Sequence, residues 1–226
     1  MSLILNIETA TKNCSVCLAR SGGVIALKES NDGNYSHGEK LHVFIEEVIR
    51  EANVQLSDLK AIAVSKGPGS FTGLRIGVSA AKGLCYSLDK PLISISTLEA
   101  MANAIEVEKN ARIVSLLDAR RMEVYSAVFD HSNRQIREIR AEIIDESSFD
   151  EYLSKGKVYF LGDGAEKCKE VIQHKNAIFL DHYFPSSKEL AKLSYQKIQN
   201  GDIEDVAYFE PFYLKDFIVT QKKKAQ

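Results

Sequence analysis

The chain has 226 residues, 45% of them hydrophobic, enough for one large domain or two small ones with proper cores. Its 29 Lys and Arg nearly cancel 31 Asp and Glu, leaving a net charge of -2. That balance excludes a surface-wide field for nucleic acid or anionic membrane, so any RNA contact must be local or supplied by a partner.

The opening residues, MSLILNIETA, carry no basic run and meet Glu8 after a few apolar positions. No apolar run approaches the roughly 20 residues that span a bilayer, so the reading is a cytoplasmic protein without a membrane segment. Cys14, Cys17, Cys85 and Cys168 are too few and too scattered for a disulfide framework. Cys14 and Cys17 form a C-x-x-C in an alternating run, where residues three apart face opposite sides of a sheet. With no second C-x-x-C to complete a zinc site, they read as buried thiols.

In chain order, residues 3–7 are a near-continuous apolar run, as in a strand buried on both faces. Turns at Lys12-Asn13 and Gly22-Gly23 lead into strands at 14–19 and 24–28, giving three strands joined by hairpins. After a polar loop, Leu41, Phe44 or Ile45, Val48, Ile49 and Ala52 recur at helical spacing, which predicts an amphipathic helix over 39–52. A strand at 61–64 is punctuated by Gly67-Pro68-Gly69-Ser70. Ser70 or Thr72 then caps a helix over 70–88. A strand at 92–95 and a helix from Thr97 to about Ile105 complete the pattern βββαβαβα.

The pattern then repeats. Residues 113–117 form a strand ending in Asp118-Ala119-Arg120-Arg121, followed by strands at 123–129 and 135–144. A short helix at 147–153, a strand at 158–161, a helix at 165–173, a strand at 177–180 and a helix at 187–199 follow. The expectation is an α/β protein of two duplicated lobes, residues 1–106 and 107–226. Of the tail, Tyr208, Phe209, Phe212 and Tyr213 are expected to pack on the second half. The basic end, Lys222, Lys223 and Lys224, reads as a frayed, solvated terminus.

Within the predicted helix over 70–88, Gly73 and Gly77 each cost about 1 kcal/mol relative to Ala, so something should offset roughly 2 kcal/mol. With Ala80 or Ala81 they form a stripe of minimal side chains that lets another backbone approach. Phe71, Leu74, Val78, Cys85 and Leu88 form a second, larger face. Two packing faces imply two neighbours, and the stripe is read as the face for a partner. The glycines fit no nucleotide fingerprint: the loop misses G-x-G-x-x-G by one residue, and no Walker pattern can be placed on it. Backbone N–H groups at Gly69, Ser70 and Phe71 could bind an anion, but the stripe needs no ligand to explain it.

Two acidic turns, Glu8-Thr9-Ala10-Thr11 and Asp118-Ala119-Arg120-Arg121, fall at equivalent strand ends, beyond which ligands collect in open α/β sheets. Their carboxylates suit a hydrated Mg²⁺ and their N–H groups phosphate oxygens, which makes Glu8, Thr9, Thr11, Lys12 and Asp118 nucleotide-binding candidates. The alternative is that both acids simply terminate their strands. His37 and His42 lie five apart without H-E-x-x-H, so a zinc hydrolase is disfavoured and solvent-facing loop histidines are the better reading. No catalytic or metal-ligating residue is assigned.

The segments GPGSFTGLRIG (67–77), ILNIETAT (4–11) with CSVCLA after it, SHGEKL (36–41), STLEAMA (96–102), DARRMEVY (118–125), GDGA (162–165) and PFYLK (211–215) together resemble the bacterial TsaB proteins. The resemblance implies an actin-like ATPase (ASKHA, ribonuclease H-like) fold. It also implies a non-catalytic subunit, inactive alone, of the complex that puts threonylcarbamoyl on the adenosine beside the anticodon of tRNAs reading codons that start with A. The implied partners are the catalytic paralogue TsaD, whose metal-binding histidine pair this chain lacks, the ATPase TsaE, and tRNA through the complex. The two first-lobe helices are expected to form a four-helix bundle with TsaD, or with a second copy in a homodimer. That assigns Leu41, Ile45, Val48, Ser70, Phe71, Thr72, Gly73, Arg75, Ile76, Gly77, Ala80 and Ala81 to the interface. ATP or ADP with Mg²⁺ at a complex interface is the candidate cofactor, and none is assigned firmly. Glu8 for Asp, His37-Gly38-Glu39 for His-Ser-Glu and Lys215 for Arg depart from the common pattern. The alternatives are a stand-alone ATPase or phosphotransferase of the same fold using Glu8 and Asp118, and a metallopeptidase.

Overall fold

A computed structural model describes residues 2–33 and 36–215. The basic end at Lys222, Lys223 and Lys224 lies outside the described residues. Strands β1 (Leu3–Glu8), β2 (Cys14–Arg20) and β3 (Gly23–Ser30) are followed by helix α1 (His37–Glu51). Next come β4 (Ala61–Gly67), α2 (Phe71–Leu88), β5 (Leu92–Ser96) and α3 (Thr97–Asn103). The second set is β6 (Arg112–Asp118), β7 (Glu123–Asp130), β8 (Gln135–Ile143), α4 (Asp150–Leu153), β9 (Val158–Leu161), α5 (Ala165–Lys169), β10 (Ala177–Phe179) and α6 (Ser187–Gln199).

The two sheets have matching topology, β3-β2-β1-β4-β5 and β10-β9-β6-β7-β8. In each, the first three strands run antiparallel through hairpins and the last two add in parallel. This duplicated βββαβαβα arrangement is the actin-like ATPase fold. Every residue of β1 is buried because its sheet is covered on both faces. On one face α1 and α2 lay Leu41, Ile45, Val48, Val78, Ala81 and Cys85 against Leu5, Ile7, Val16, Leu18, Ile62 and Val64.

The other face corrects the expected division of the chain. Helix α6, from the second half of the sequence, packs on the first sheet, with Leu190, Leu193, Tyr195 and Ile198 against Ile4, Ala61, Ala63, Ile93 and Ile95. Conversely, α3 sends Leu98, Met101 and Ala102 into the second sheet, against Ile113, Leu117, Ala127, Phe129 and Leu161. A boundary at 106/107 therefore separates the repeats in element order but not in packing. The small residues Cys17, Ala19, Ala61 and Ala63 leave the first sheet a shallow face, onto which α6 can settle through Ala191 and Leu190.

The tail is the second correction. Glu204 donates its N–H to Leu92 O at 2.8 Å, which carries the chain along the β5 edge. Val206 and Phe209 join the first core, Phe212 donates its N–H to Lys66 O at 2.7 Å and Tyr213 packs on Phe71, so these three aromatics return to the first lobe rather than the second, while Tyr208 stays exposed. Helix lengths also shift. α1 starts at His37, α2 follows its cap Ser70, and α4 and α5 are short. Among the described residues no helix is long and apolar enough to cross a membrane.

Candidate functional site

A cleft of about 1020 Å³ opens where the two halves face each other. Its first-lobe wall is Ala10, Thr11 and Lys12 from the β1–β2 turn with residues 68–72 of the loop into α2. Its second-lobe wall includes Asp118, Ala119, Arg120, Tyr125, Gly162, Asp163 and Lys169. Phe212, Tyr213, Leu214 and Lys215 close one side. The strand ends thus meet as the repeated topology requires, and the glycine loop lines the cleft as well as starting α2.

The side chains at those strand ends do not form the candidate Mg²⁺ site; they fit the alternative in which both acids terminate their strands. Glu8 is 0% exposed. One of its carboxyl oxygens accepts from Ala10 N–H at 2.6 Å and from Ser65 Oγ at 2.8 Å. Burial pushes its pKa up to about 7, against the lowering effect of those hydrogen bonds. Thr9 is also 0% exposed and donates its hydroxyl to Gly73 O at 2.8 Å. Thr11 is buried, its hydroxyl accepting from Asn13 N–H at 3.3 Å. Of the nucleotide-binding candidates only Lys12 and Asp118 are exposed in the cleft. Asp118 pairs with Lys167 and accepts from Arg120 N–H at 2.9 Å, so it ends its strand and closes its own turn. A hydrated Mg²⁺ held by Glu8 and Asp118 does not fit: the first is sealed in and the second is neutralised by a lysine.

Two buried acids escape sequence reasoning, Asp163 in the cleft wall and Glu189 behind it, against the cleft residue Tyr183. Asp163 reaches back to accept the Asp118 N–H at 3.0 Å, and burial raises its pKa to about 6. Glu189, raised to about 7 by burial, accepts from Tyr183 Oη at 2.6 Å. Asp163 stands in the Gly162-Asp163-Gly164 loop, and that glycine-flanked acid at a strand end is the one signal that could have found it. His37 is corrected too. It is buried at the start of α1 with Nε2 2.8 Å from Thr11 O, whereas His42 is exposed as expected. Burial pushes the Cys14 thiol up to about 11 and Cys17 up to about 12, which makes them inert core thiols. Among the described residues no three His, Cys, Asp or Glu converge to hold a metal.

The small-residue stripe has its neighbour inside the chain. A Cβ on Gly73 would lie 2.1 Å from Thr9 O, and one on Gly77 would lie 2.2 Å from Thr9 Oγ1. The backbone that approaches α2 is therefore the β1–β2 turn. Gly73, Gly77 and Ala81 face inward, as do Leu41, Ile45 and Val48, so six of the residues assigned to the interface belong to the core. Ser70 caps α2, and Phe71 lies 4.9 Å from the Tyr213 ring. Thr72 and Arg75 are exposed, and Ile76 and Ala80 are half-buried.

The outward faces of α1 and α2 enclose a second, shallower groove lined by Gly38, His42, Arg75, Ile76, Ser79, Ala80, Gly83 and Leu84. Among the described residues nothing lies within 4 Å of where a Cβ would stand on Gly38 or Gly83. Val43, 50% exposed, and Tyr86, 87% exposed, stand on the same two helices. A partner helix could approach closely along this seam.

Comparison with known proteins matches residues 10–223 to the family "TsaD: tRNA N6-adenosine threonylcarbamoyltransferase". The tRNA threonylcarbamoyladenosine biosynthesis protein TsaB of Escherichia coli K12 is 29% identical, with 97% of each chain covered. The protein of that name from Buchnera aphidicola subsp. Schizaphis graminum is 31% identical over 74% of this chain and 81% of its own. Among solved structures, YeaZ from Pseudomonas aeruginosa superposes with a TM-score of 0.77 at 25% identity, covering 95% of this chain and all of that one.

Proposed function

The chain belongs to the TsaB proteins of the tRNA N6-adenosine threonylcarbamoyltransferase family, and from that premise we propose that it is the non-catalytic subunit that binds and activates TsaD. Its role lies in tRNA threonylcarbamoyladenosine biosynthesis. The observation that carries the proposal is the groove between α1 and α2, with Gly38, Ala80 and Gly83 along it and Val43 and Tyr86 exposed beside it. A paralogue of the same fold presents an equivalent helix pair, and two such pairs bury their apolar seams as a four-helix bundle. In this reading the complex works in the cytoplasm with TsaE and carries the tRNA. Alone, the chain pairs with a second copy through the same face, because a symmetric dimer offers one patch twice.

Gly83→Arg places a charged side chain in the groove where no described residue stands within 4 Å of the new Cβ, so the fold is expected to survive. Light scattering should show a complex between the wild-type chain and cognate TsaD, with binding weakened at least about 100-fold by Gly83→Arg, roughly 3 kcal/mol at a hot spot. The same substitution should turn the homodimer into monomer. No wild-type complex, or one indifferent to the arginine, would overturn the reading.

ATP turnover belongs to the partners in this reading, since Glu8 is enclosed and Asp118 is paired with Lys167. The isolated chain is expected to hydrolyse no ATP in a steady-state assay. Hydrolysis that disappears in Asp118→Asn would instead establish the stand-alone ATPase.

A further inference from the structure

The last described residues divide into an anchored part and a part held by few contacts. Up to Phe209 the tail is fixed to the first lobe: Lys82 Nζ donates to Ala207 O at 3.2 Å and Phe209 O at 2.9 Å, and the Phe209 ring joins the first core. Beyond it the chain leaves the core without helix or ladder and crosses the side of the cleft. Phe212 gives its N–H to Lys66 O, Tyr213 packs on Phe71, and Lys215 pairs with Glu123 at the start of β7 in the second lobe. Phe212 and Tyr213 stay 40% and 38% exposed, and Lys215 and Glu123 both keep contact with solvent.

We propose that residues 210–215 form a releasable latch: anchored at Phe209, they span from the first lobe to Glu123 and close one wall of the cleft. Sparse, solvent-accessible contacts place this segment at the low-stability end of the molecule, so it opens without unfolding what lies beneath. The Phe212 carbonyl packs against Gly67, where a Cβ would lie 2.9 Å away, so release also frees the loop that leads into α2. Among the described residues it is this ion pair that ties the latch to the far lobe, and a partly exposed pair shifts an equilibrium only by a small factor. A small factor suits a latch that must both hold and let go.

Hydrogen exchange on the full chain tests this at the Phe212 amide, with Phe160 in the second core as reference. Lys215→Glu should speed exchange at Phe212 about two- to five-fold while leaving Phe160 unchanged. The charge swap Lys215→Glu with Glu123→Lys should restore the wild-type rate. Tyr213→Ala should release the amide as well, by removing the ring contact. Unchanged exchange in both single variants would show a static wall and overturn the latch. Equal acceleration at Phe212 and Phe160 would also overturn it, by showing that the segment opens only with global unfolding.

Discussion

Gly73→Ala is expected to destabilise the protein by about 3 kcal/mol or more, although helix propensity alone favours alanine by about 1 kcal/mol. The added methyl would sit 2.1 Å from Thr9 O, and a backbone carbonyl held between two strands has no rotamer to escape into. Gly77→Ala meets Thr9 Oγ1 at 2.2 Å instead. That hydroxyl can rotate, but only by giving up its bond to Gly73 O, so a smaller loss of about 1 to 2 kcal/mol is expected. The two cases separate in a double-mutant cycle. Adding Thr9→Ala should rescue Gly77→Ala, because the obstructing atom is gone, and should not rescue Gly73→Ala, because the carbonyl remains. Thermal denaturation reads the result, at about 2 to 4 °C per kcal/mol for a chain of this size. A rise in Tm for either single variant would show that α2 does not lie on the turn as described.

Glu8→Gln is expected to change the pH dependence of stability. The folded-state pKa of Glu8 is raised to about 7 by burial, from an ordinary 4.5. The folded state therefore holds its proton more tightly than the unfolded chain. The associated stability is fully present below about pH 4.5, declines as pH rises, and is lost above about pH 7. Between pH 5 and pH 8 that loss amounts to roughly 2 to 3 kcal/mol, since a tenfold difference in proton affinity between the folded and unfolded chain is worth about 1.4 kcal/mol. Glutamine keeps an oxygen for Ala10 N–H and Ser65 Oγ but does not titrate, so the variant should be spared this part of the decline. Asp163 and Glu189, also raised by burial, contribute declines of the same sign in both proteins. The difference between the two urea-unfolding profiles reads Glu8 together with its smaller charge coupling to Asp163 and Glu189, and parallel profiles would mean that its carboxyl titrates normally.

Much of the architecture was legible in periodicity because strand and helix patterns are local. The near-continuous apolar run of β1, the two-residue alternation in β8, the hairpin turns and the Ser70 cap each depend on residues a few positions apart. The repeat of element order followed from the same information. The candidate site was legible only as a place: turns at the ends of β1 and β6 do meet across the cleft. Its chemistry was not legible, since an acid at a strand end reads alike whether it faces water or, like Glu8, is sealed beneath Ser65 and Ala10. His37 escapes local reading for the same reason, with Thr11 O supplied from 26 positions away.

By itself the sequence determined the succession of elements, the apolar faces of α1 and α2, the need for something to lie close over Gly73 and Gly77, and the family to which the chain belongs. Only the tertiary structure decided what covers each face. Thr9, 64 positions before Gly73, fills the stripe that pattern alone assigns to a partner. Helix α6 crosses to the first sheet, and the tail follows it. The physical reason is that side-chain pattern specifies the shape and polarity of a surface, while the identity of its neighbour depends on which distant segments the completed fold brings together.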